Sequence, residues 1–297
     1  MSKYNFVLSY DEEAKLSPEA RSKYYVQLRD NFANSSSLKF YFSIFLQKIF
    51  HRPKKFILKR YGSKIFGFDL NVDGGKNLNG SNDAAKIYIS SHQHFYDIIN
   101  LINAIPERVI IMNSIDVPFL IKAILRINGV IFVDRKDKEG GPAAKNEGMQ
   151  YLAKGYSVVI LSEATLNGSP NKYLLSFHHG AFDMAQKMQV PIIPIVQEYC
   201  LDPDPKKLNM VSSCTLKFLP SVKVPVFSAR SELYKLIRDV RDLMAGAKHT
   251  EYEKKYTGSS DVSTRDTSMQ SLTHEYRKFV ADQFATFHDM GVTYQDD

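Results

Sequence analysis

The sequence predicts an α/β domain with a mainly parallel central sheet flanked by helices, preceded by a helical N-terminal segment. Three observations carry that reading. From residue 86 onward, short β-type runs alternate with helical stretches, the pattern that gives parallel strands joined by crossover helices. The chain is 44% hydrophobic and 24% charged, a composition that builds a core and excludes a disordered or low-complexity chain. Its 297 residues make one large domain or two modest ones at roughly 100–200 residues each. A mean hydropathy of −0.28, with no uncharged apolar run of about 18 residues, argues against a polytopic membrane protein.

Taken in order, residues 1–37 read as polar and partly helical, and Ser35, Ser36 and Ser37 mark a break. MSKYNFVLSYDEEAK lacks an apolar signal core and a small-residue cleavage site, so no export is expected. From Leu38 to Phe50 the chain is almost wholly apolar, with Phe40, Tyr41, Phe42, Ile44, Phe45, Leu46, Ile49 and Phe50. Lys39, Ser43 and Gln47 recur every fourth residue, which leaves a narrow polar stripe on a greasy helix. Pro53 ends it. As a helix this stretch reaches only about 20 Å, short of a hydrocarbon core of about 30 Å.

The net charge of +7 is concentrated just there. Residues 38–64 hold Lys39, Lys48, Arg52, Lys54, Lys55, Lys59, Arg60 and Lys64 and no acidic residue. Such a segment wants an anionic partner. Two readings stay open. The helix lies in a membrane interface, with Phe42 and Phe45 in the apolar layer and Lys54, Lys55, Lys59 and Arg60 at an anionic headgroup surface. Alternatively it is a core helix followed by a solvated basic turn. Nucleic acid is not an expected partner, because no recognisable binding module accompanies the charges. The expected division is an interfacial segment over 1–64 and an α/β domain over 65–297.

Within the second part, KIYIS (86–90), RVIIM (108–112), VIFV (130–133), SVVIL (157–161) and PIIPIV (191–196) read as strands, and CTLKFL (214–219) as one more. Residues 97–105, 117–127, 142–154 and 179–188 read as the helices between them. Leu233, Leu236, Ile237, Val240, Leu243 and Met244 have helical spacing, with Ser231 as the expected cap. Residues 257–270 form a polar loop, and 271–288 a last helix. There is no internal repeat.

Candidate chemistry begins where KIYISS runs into His92, followed by Gln93, His94, Phe95, Tyr96 and Asp97. Reactive groups of open α/β sheets gather beyond the carboxyl ends of strands. A carboxylate near a histidine fixes its tautomer and makes it a competent general base. By spacing alone such a pair also arises by chance. His92-x-His94 offers a metal-site alternative, but in the His-x-His-x-Asp-His pattern of metallo-β-lactamase-type hydrolases Tyr96 stands at the Asp position and Asp97 at the second His. No metal is expected. His178-His179 reads as a polar cap or an anion-facing group. Cys200 and Cys214 match no zinc or disulfide framework and are expected to be reduced thiols.

Further blocks make a resemblance specific. SHQHFYD (91–97) resembles the Asn-His-x-Ser-x-x-Asp block of the glycerolipid acyltransferases, typified by 1-acylglycerol-3-phosphate acyltransferase. GVIFVDR (129–135) is similar to that family's second block, a Gly and a strand ending in Arg. LSEAT (161–165) and LLSFHHGAFDMA (174–185) resemble its Phe-Pro-Glu-Gly-Thr block and the helix start that follows. VPIIPI (190–195) resembles its Pro-bearing strand. The blocks come in the family's order over about 110 residues.

The resemblance implies an O-acyltransferase that moves a fatty acyl group from acyl-CoA or an acyl carrier protein to a hydroxyl of a lysophospholipid. It implies His92 as general base and Asp97 as its orienter, with no cofactor. Arg135, assisted by Lys136 and Lys172, would bind the acceptor phosphate, Glu163 and Thr165 would shape the acceptor site, and Pro194 the acyl side. Without the other blocks, Arg135 reads equally as a partner of Asp134. Location at the cytoplasmic face of the cell membrane, as a peripheral or monotopic protein, and a part in phospholipid biosynthesis follow from the same reading. Departures leave rivals open. Ala164 stands for the family's Gly, which costs about 1 kcal/mol if φ is positive and leaves the local turn in question. Leu166 replaces a common Arg, and His178 or His179 a Lys. The acceptor is then a lysophosphatidate, or a glycolipid or other lipid with less phosphate charge. A catalytically silent lipid-binding member of the family is a further alternative.

Overall fold

The computed structural model describes residues 6–35, 41, 42, 44–46, 49, 50, 53, 68–78, 85–94, 96–105, 109–113, 122, 125, 126, 128–133, 137–164, 167, 174–201, 211–227 and 229–247. Seven strands, β1 (Asp69–Asp73), β2 (Ile87–Ser90), β3 (Val109–Asn113), β4 (Val130–Phe132), β5 (Ser157–Leu161), β6 (Ile192–Leu201) and β7 (Val211–Phe218), form one sheet. Its order is β1-β7-β6-β2-β5-β3-β4. All neighbouring pairs run parallel except β6 and β7, which are antiparallel. The mainly parallel sheet expected from the alternating pattern is present.

The strands differ from the sequence reading where polar residues intervene. β6 continues past Val196 through Gln197, Glu198 and Tyr199 because β7 pairs with it there, Tyr199 opposite Cys214. β1 was not among the expected strands. It is an edge strand in which Leu70 packs on the core while Asp69, Asn71, Val72 and Asp73 are exposed, so its two apolar residues are a weak signal beside three polar ones. Gly74 follows it with φ +69°, and a Cβ there would lie 2.2 Å from the Phe218 carbonyl oxygen. Asn77, in the short helix α3 (Gly75–Leu78), donates to that oxygen at 2.7 Å.

Alternation along the strands feeds two layers. Ile87, Ile89 and Val158 join one core cluster with Leu28, Phe32, Met149, Phe182 and Ile237. These come from α2 (Pro18–Asn34), α5 (Gly140–Ala153), α6 (Gly180–Met188) and α7 (Arg230–Ala247). Tyr88, Val159, Ile193 and Leu216 point the other way, against Ile98 and Leu101 of α4 (Asp97–Ala104). The helices therefore cover both faces. α7 starts at Arg230, which puts the expected cap Ser231 inside its first turn. Instead the Glu232 carboxylate accepts from the Ala229 N–H at 3.2 Å, a favourable charge for a helix start.

The N-terminal helices are set by local capping and fixed by burial. Ser9 and Glu12 close a capping box on α1 (Tyr10–Ala14). Ser17 accepts from the Ala20 N–H at 3.2 Å, with Pro18 in the first turn of α2. The far end of α2 is capped from α5: Lys154 donates to the Ala33 carbonyl at 2.7 Å and Gln150 to that of Ser35 at 2.8 Å. Lys187 bridges Glu13 at 2.6 Å and Asp183 at 3.6 Å, and Lys145 pairs with Asp183. A partly buried ion chain thus joins α1, α6 and α5.

Beyond α2, residues 41, 42, 44–46, 49, 50 and 53 are helical. Ile44 packs into the main core. Tyr41, Phe42, Phe45, Ile49 and Phe50 are each at least 47% exposed. Among the described residues no helix is long and apolar enough to cross a membrane. The basic residues Lys54, Lys55, Lys59 and Arg60, most of the stretch read as helix 117–127, and the loop and helix expected over 257–288 lie outside the described residues.

Candidate active site

The site forms where β2 ends. Ser91 still donates its N–H to the Ile195 carbonyl of β6 at 3.2 Å, and the chain then turns off the sheet as His92. Asp97 is the first residue of α4, where a carboxylate faces free N–H groups. Asp97 Oδ2 accepts from the Gln93 N–H at 2.6 Å and the His94 N–H at 3.0 Å, and lies 2.9 Å from His92 Nδ1. The Tyr199 hydroxyl donates to Asp97 Oδ1. The carboxylate is fully buried and the imidazole 14% exposed. An ionised carboxylate only accepts, so Nδ1 carries the hydrogen and Nε2 is left with its lone pair. This tautomer follows from the bonding pattern.

Glu163, in the turn after β5, holds the same loop from the other side. Its Oε1 accepts from the His92 N–H at 2.9 Å. Its Oε2 accepts from Asn167 Nδ2 at 2.7 Å and from the Leu175 N–H at 3.0 Å. The Asn167 N–H in turn donates to the His92 carbonyl at 2.6 Å. Glu163 therefore fixes the backbone on either side of the imidazole rather than presenting a free oxygen. A buried carboxylate is tolerable because charged hydrogen bonds replace its hydration.

The turn that aims Glu163 answers the question raised by Ala164. Its φ is +56°, and its N–H donates to the Leu161 carbonyl at 3.0 Å. The left-handed turn is kept, with an alanine in a conformation that costs an L-residue about 1–2 kcal/mol. His178 and His179 open α6, but His179, at its N-cap, makes no side-chain capping bond. Both Nδ1 atoms of the His92-x-His94 pair are engaged, since His94 Nδ1 accepts from the Tyr96 N–H at 3.3 Å.

His92, Asp97 and Glu163 are thus brought together. Pro194 lies within β6, buried and opposite Ile89, in the sheet below the loop that carries His92. Arg135, Lys136, Thr165 and Lys172 lie outside the described residues. Sequence reasoning missed Asn100, Gln197 and Tyr199. Asn100 donates to the Tyr199 oxygen at 2.9 Å, and Gln197 Nε2 to Ser90 Oγ at 3.1 Å. The available signal was a polar residue inside an apolar run, as at Ser90, Ser91 and Gln197, because buried polar residues are the informative exceptions.

A histidine held by a buried carboxylate beyond the carboxyl end of a parallel strand is an arrangement, in an α/β fold, that can support general-base chemistry. Residues 69–198 match the family model described as Acyltransferase, so this part of the chain is similar to the acyltransferase family. It is 28% identical over 172 residues to the mouse 1-acyl-sn-glycerol-3-phosphate acyltransferase alpha, covering 56% of this chain and 59% of that protein. It is 34% identical over 143 residues to a chloroplastic 1-acyl-sn-glycerol-3-phosphate acyltransferase of Arabidopsis thaliana, covering 47% of this chain and 39% of that one. The chain thus spans roughly half the length of the curated relatives it matches. The crystal structure of the 1-acyl-sn-glycerophosphate (LPA) acyltransferase PlsC of Thermotoga maritima shares the fold. Its TM-score is 0.50 at 22% identity, over 77% of this chain and 98% of that one.

Proposed function

We propose that this protein is a membrane-surface O-acyltransferase that moves a fatty acyl group from acyl-CoA or an acyl carrier protein to a hydroxyl of a lysophospholipid such as 1-acylglycerol-3-phosphate. The observation that carries this is the His92–Asp97 pair at 2.9 Å, set in a domain similar to the acyltransferase family, whose matched relatives bear that name.

His92 Nε2 takes the proton of the acceptor hydroxyl as its oxygen attacks the thioester carbonyl. The tetrahedral oxyanion collapses, the C–S bond breaks, and the departing thiolate recovers the proton from His92. Asp97 keeps Nδ1–H bonded and offsets the imidazolium charge while it exists. General-base catalysis of this kind contributes about 10²–10⁴ in rate. Arg135, with Lys136 and Lys172, binds the acceptor phosphate, Thr165 lines the acceptor side, and Pro194 backs the acyl side. The reaction draws on no cofactor.

Residues 1–64 dock the enzyme as a peripheral protein on the cytoplasmic face of an anionic membrane. The exposed ridge of Tyr41, Phe42, Phe45, Ile49 and Phe50 supports this, since a contiguous apolar surface is the mark of an interaction site. Lys54, Lys55, Lys59 and Arg60 follow it in sequence and suit anionic headgroups. A glycolipid acceptor is the second reading, favoured by Leu166 where an arginine is usual. Incubation with labelled acyl-CoA or acyl carrier protein and a panel of lysolipids and glycolipids separates the two. Transfer to lysophosphatidate supports the proposal, transfer to glycolipids alone replaces the acceptor, and no transfer to any acceptor overturns it.

A further inference from the structure

Behind the His92–Asp97 pair lies a chain of buried polar side chains supplied by β6, β7 and α4. We propose that Tyr199 is a positioning residue for the general base. Its hydroxyl, donated to Asp97 Oδ1, locks the carboxylate so that Oδ2 stays on His92 Nδ1. The inference rests on the reading of His92 as the group that deprotonates the acceptor.

The two oxygens of Asp97 are held differently. Oδ2 gathers His92 Nδ1 and the N–H groups of Gln93 and His94. Among the described residues the donor to Oδ1 is the Tyr199 hydroxyl. A carboxylate held at one oxygen can pivot about its Cβ–Cγ bond; held at both, it cannot without leaving a buried charge short of a donor. The loop fixes one oxygen and the sheet the other.

Three features commit the phenol to this task. It has one hydrogen, and Asn100 Nδ2 donates to its oxygen at 2.9 Å, which leaves that hydrogen for Asp97. Asn100 is itself oriented, with Gln197 Oε1 and Cys214 Sγ each 3.4 Å from its Nδ2. Burial, then the Asp97 charge and Cys214, hold the Tyr199 phenol well above the usual tyrosine range, so it keeps its proton. The titratable groups around the pair are His92 and His94 from the loop after β2, Tyr96 before α4, Glu163 after β5 and Cys214 on β7. The His94 ring lies 5.2 Å from that of Tyr199.

Tyr199→Phe removes the hydroxyl and keeps the ring against Phe68 and His94. Losing a hydrogen bond to a charged group should lower kcat about 10–100-fold, with the KM of both substrates changed less than about twofold. The acidic limb of kcat/KM should move to higher pH. A carboxylate relieved of one donor concentrates its charge on the imidazolium and favours the protonated ring. Asn100→Ala should do the same more weakly, and carries the test should Tyr199→Phe not fold. NMR titration of the His92 ring without substrate reads the same shift independently of the acceptor. An upward midpoint in Tyr199→Phe, beside a wild type that acylates no lysolipid, would sink the functional reading and leave the positioning role standing. Wild-type kcat, pH profile and ring midpoint in Tyr199→Phe would overturn the proposal.

Discussion

At the carboxyl ends of β2 and β6, Asp97, Asn100, Glu163 and Gln197 are at most 2% exposed, whereas in the N-terminal helical stretch Phe42 and Phe45 are 59% and 57% exposed. Polar groups are inside in one region and aromatic groups outside in the other. Each inversion opposes the hydrophobic effect, and each is tolerated for a different reason. Inside, every charge is met by donors, as when Glu163 takes three and Asp97 four. Outside, the ridge stays exposed among the described residues, at a cost near 25 cal/mol per Å². One inversion gathers the groups proposed as the reactive site; the other leaves the surface proposed to meet a membrane.

The most severe way to break the buried region is to remove its base. His92→Ala should lower turnover at least about 10²-fold with the fold intact. Asp97→Asn should cost somewhat less, about 10–10²-fold, since it perturbs the orientation of the base. Steady-state kinetics beside circular dichroism decides this, and full activity of His92→Ala with a defined lipid acceptor ends the mechanism.

A smaller effect sharpens the same region from the substrate side. Arg135→Ala should raise the KM of a phosphate-bearing acceptor by about tenfold or more, and Arg135→Lys should rescue it only in part, because a point charge lacks the bidentate fork. A KM indifferent to both changes favours a neutral acceptor.

The exposed region is tested by liposome co-sedimentation. The protein should pellet with anionic vesicles, less with zwitterionic ones, and less again at high salt, each cation contributing up to about 1 kcal/mol near the surface. Replacing Lys54, Lys55, Lys59 and Arg60 by Gln should weaken binding without unfolding. Replacing Phe42 and Phe45 by Ser should weaken it even at low salt. Binding that ignores vesicle charge and all six changes would mean that another surface meets the lipid.

The smallest effect concerns the strained turn. Ala164→Gly should raise stability by about 0.5–1 kcal/mol, because glycine adopts a φ of +56° without a Cβ clash. Chemical denaturation reads it, and an unchanged or lower stability would show that the turn relaxes when the methyl is lost.

The sequence by itself determined the parallel α/β layers, and through its resemblance to the glycerolipid acyltransferases it singled out His92 and Asp97. Short apolar runs such as IYIS and SVVIL, and a carboxylate opening the next helix, are local patterns with local physical causes. It also marked the greasy helix over 38–50, but not which side of it would stay bare. Only the tertiary structure decided that Ile44 turns into the core while Phe42 and Phe45 do not. It alone decided that DLNVD is a strand, since two apolar residues among three polar ones are a weak local signal and the pairing with β7 is what extends the segment. It alone brought Tyr199 to Asp97, 102 residues apart in sequence. Such contacts depend on strand order and register, and those are fixed when the whole sheet closes its layers rather than by any run of neighbouring residues.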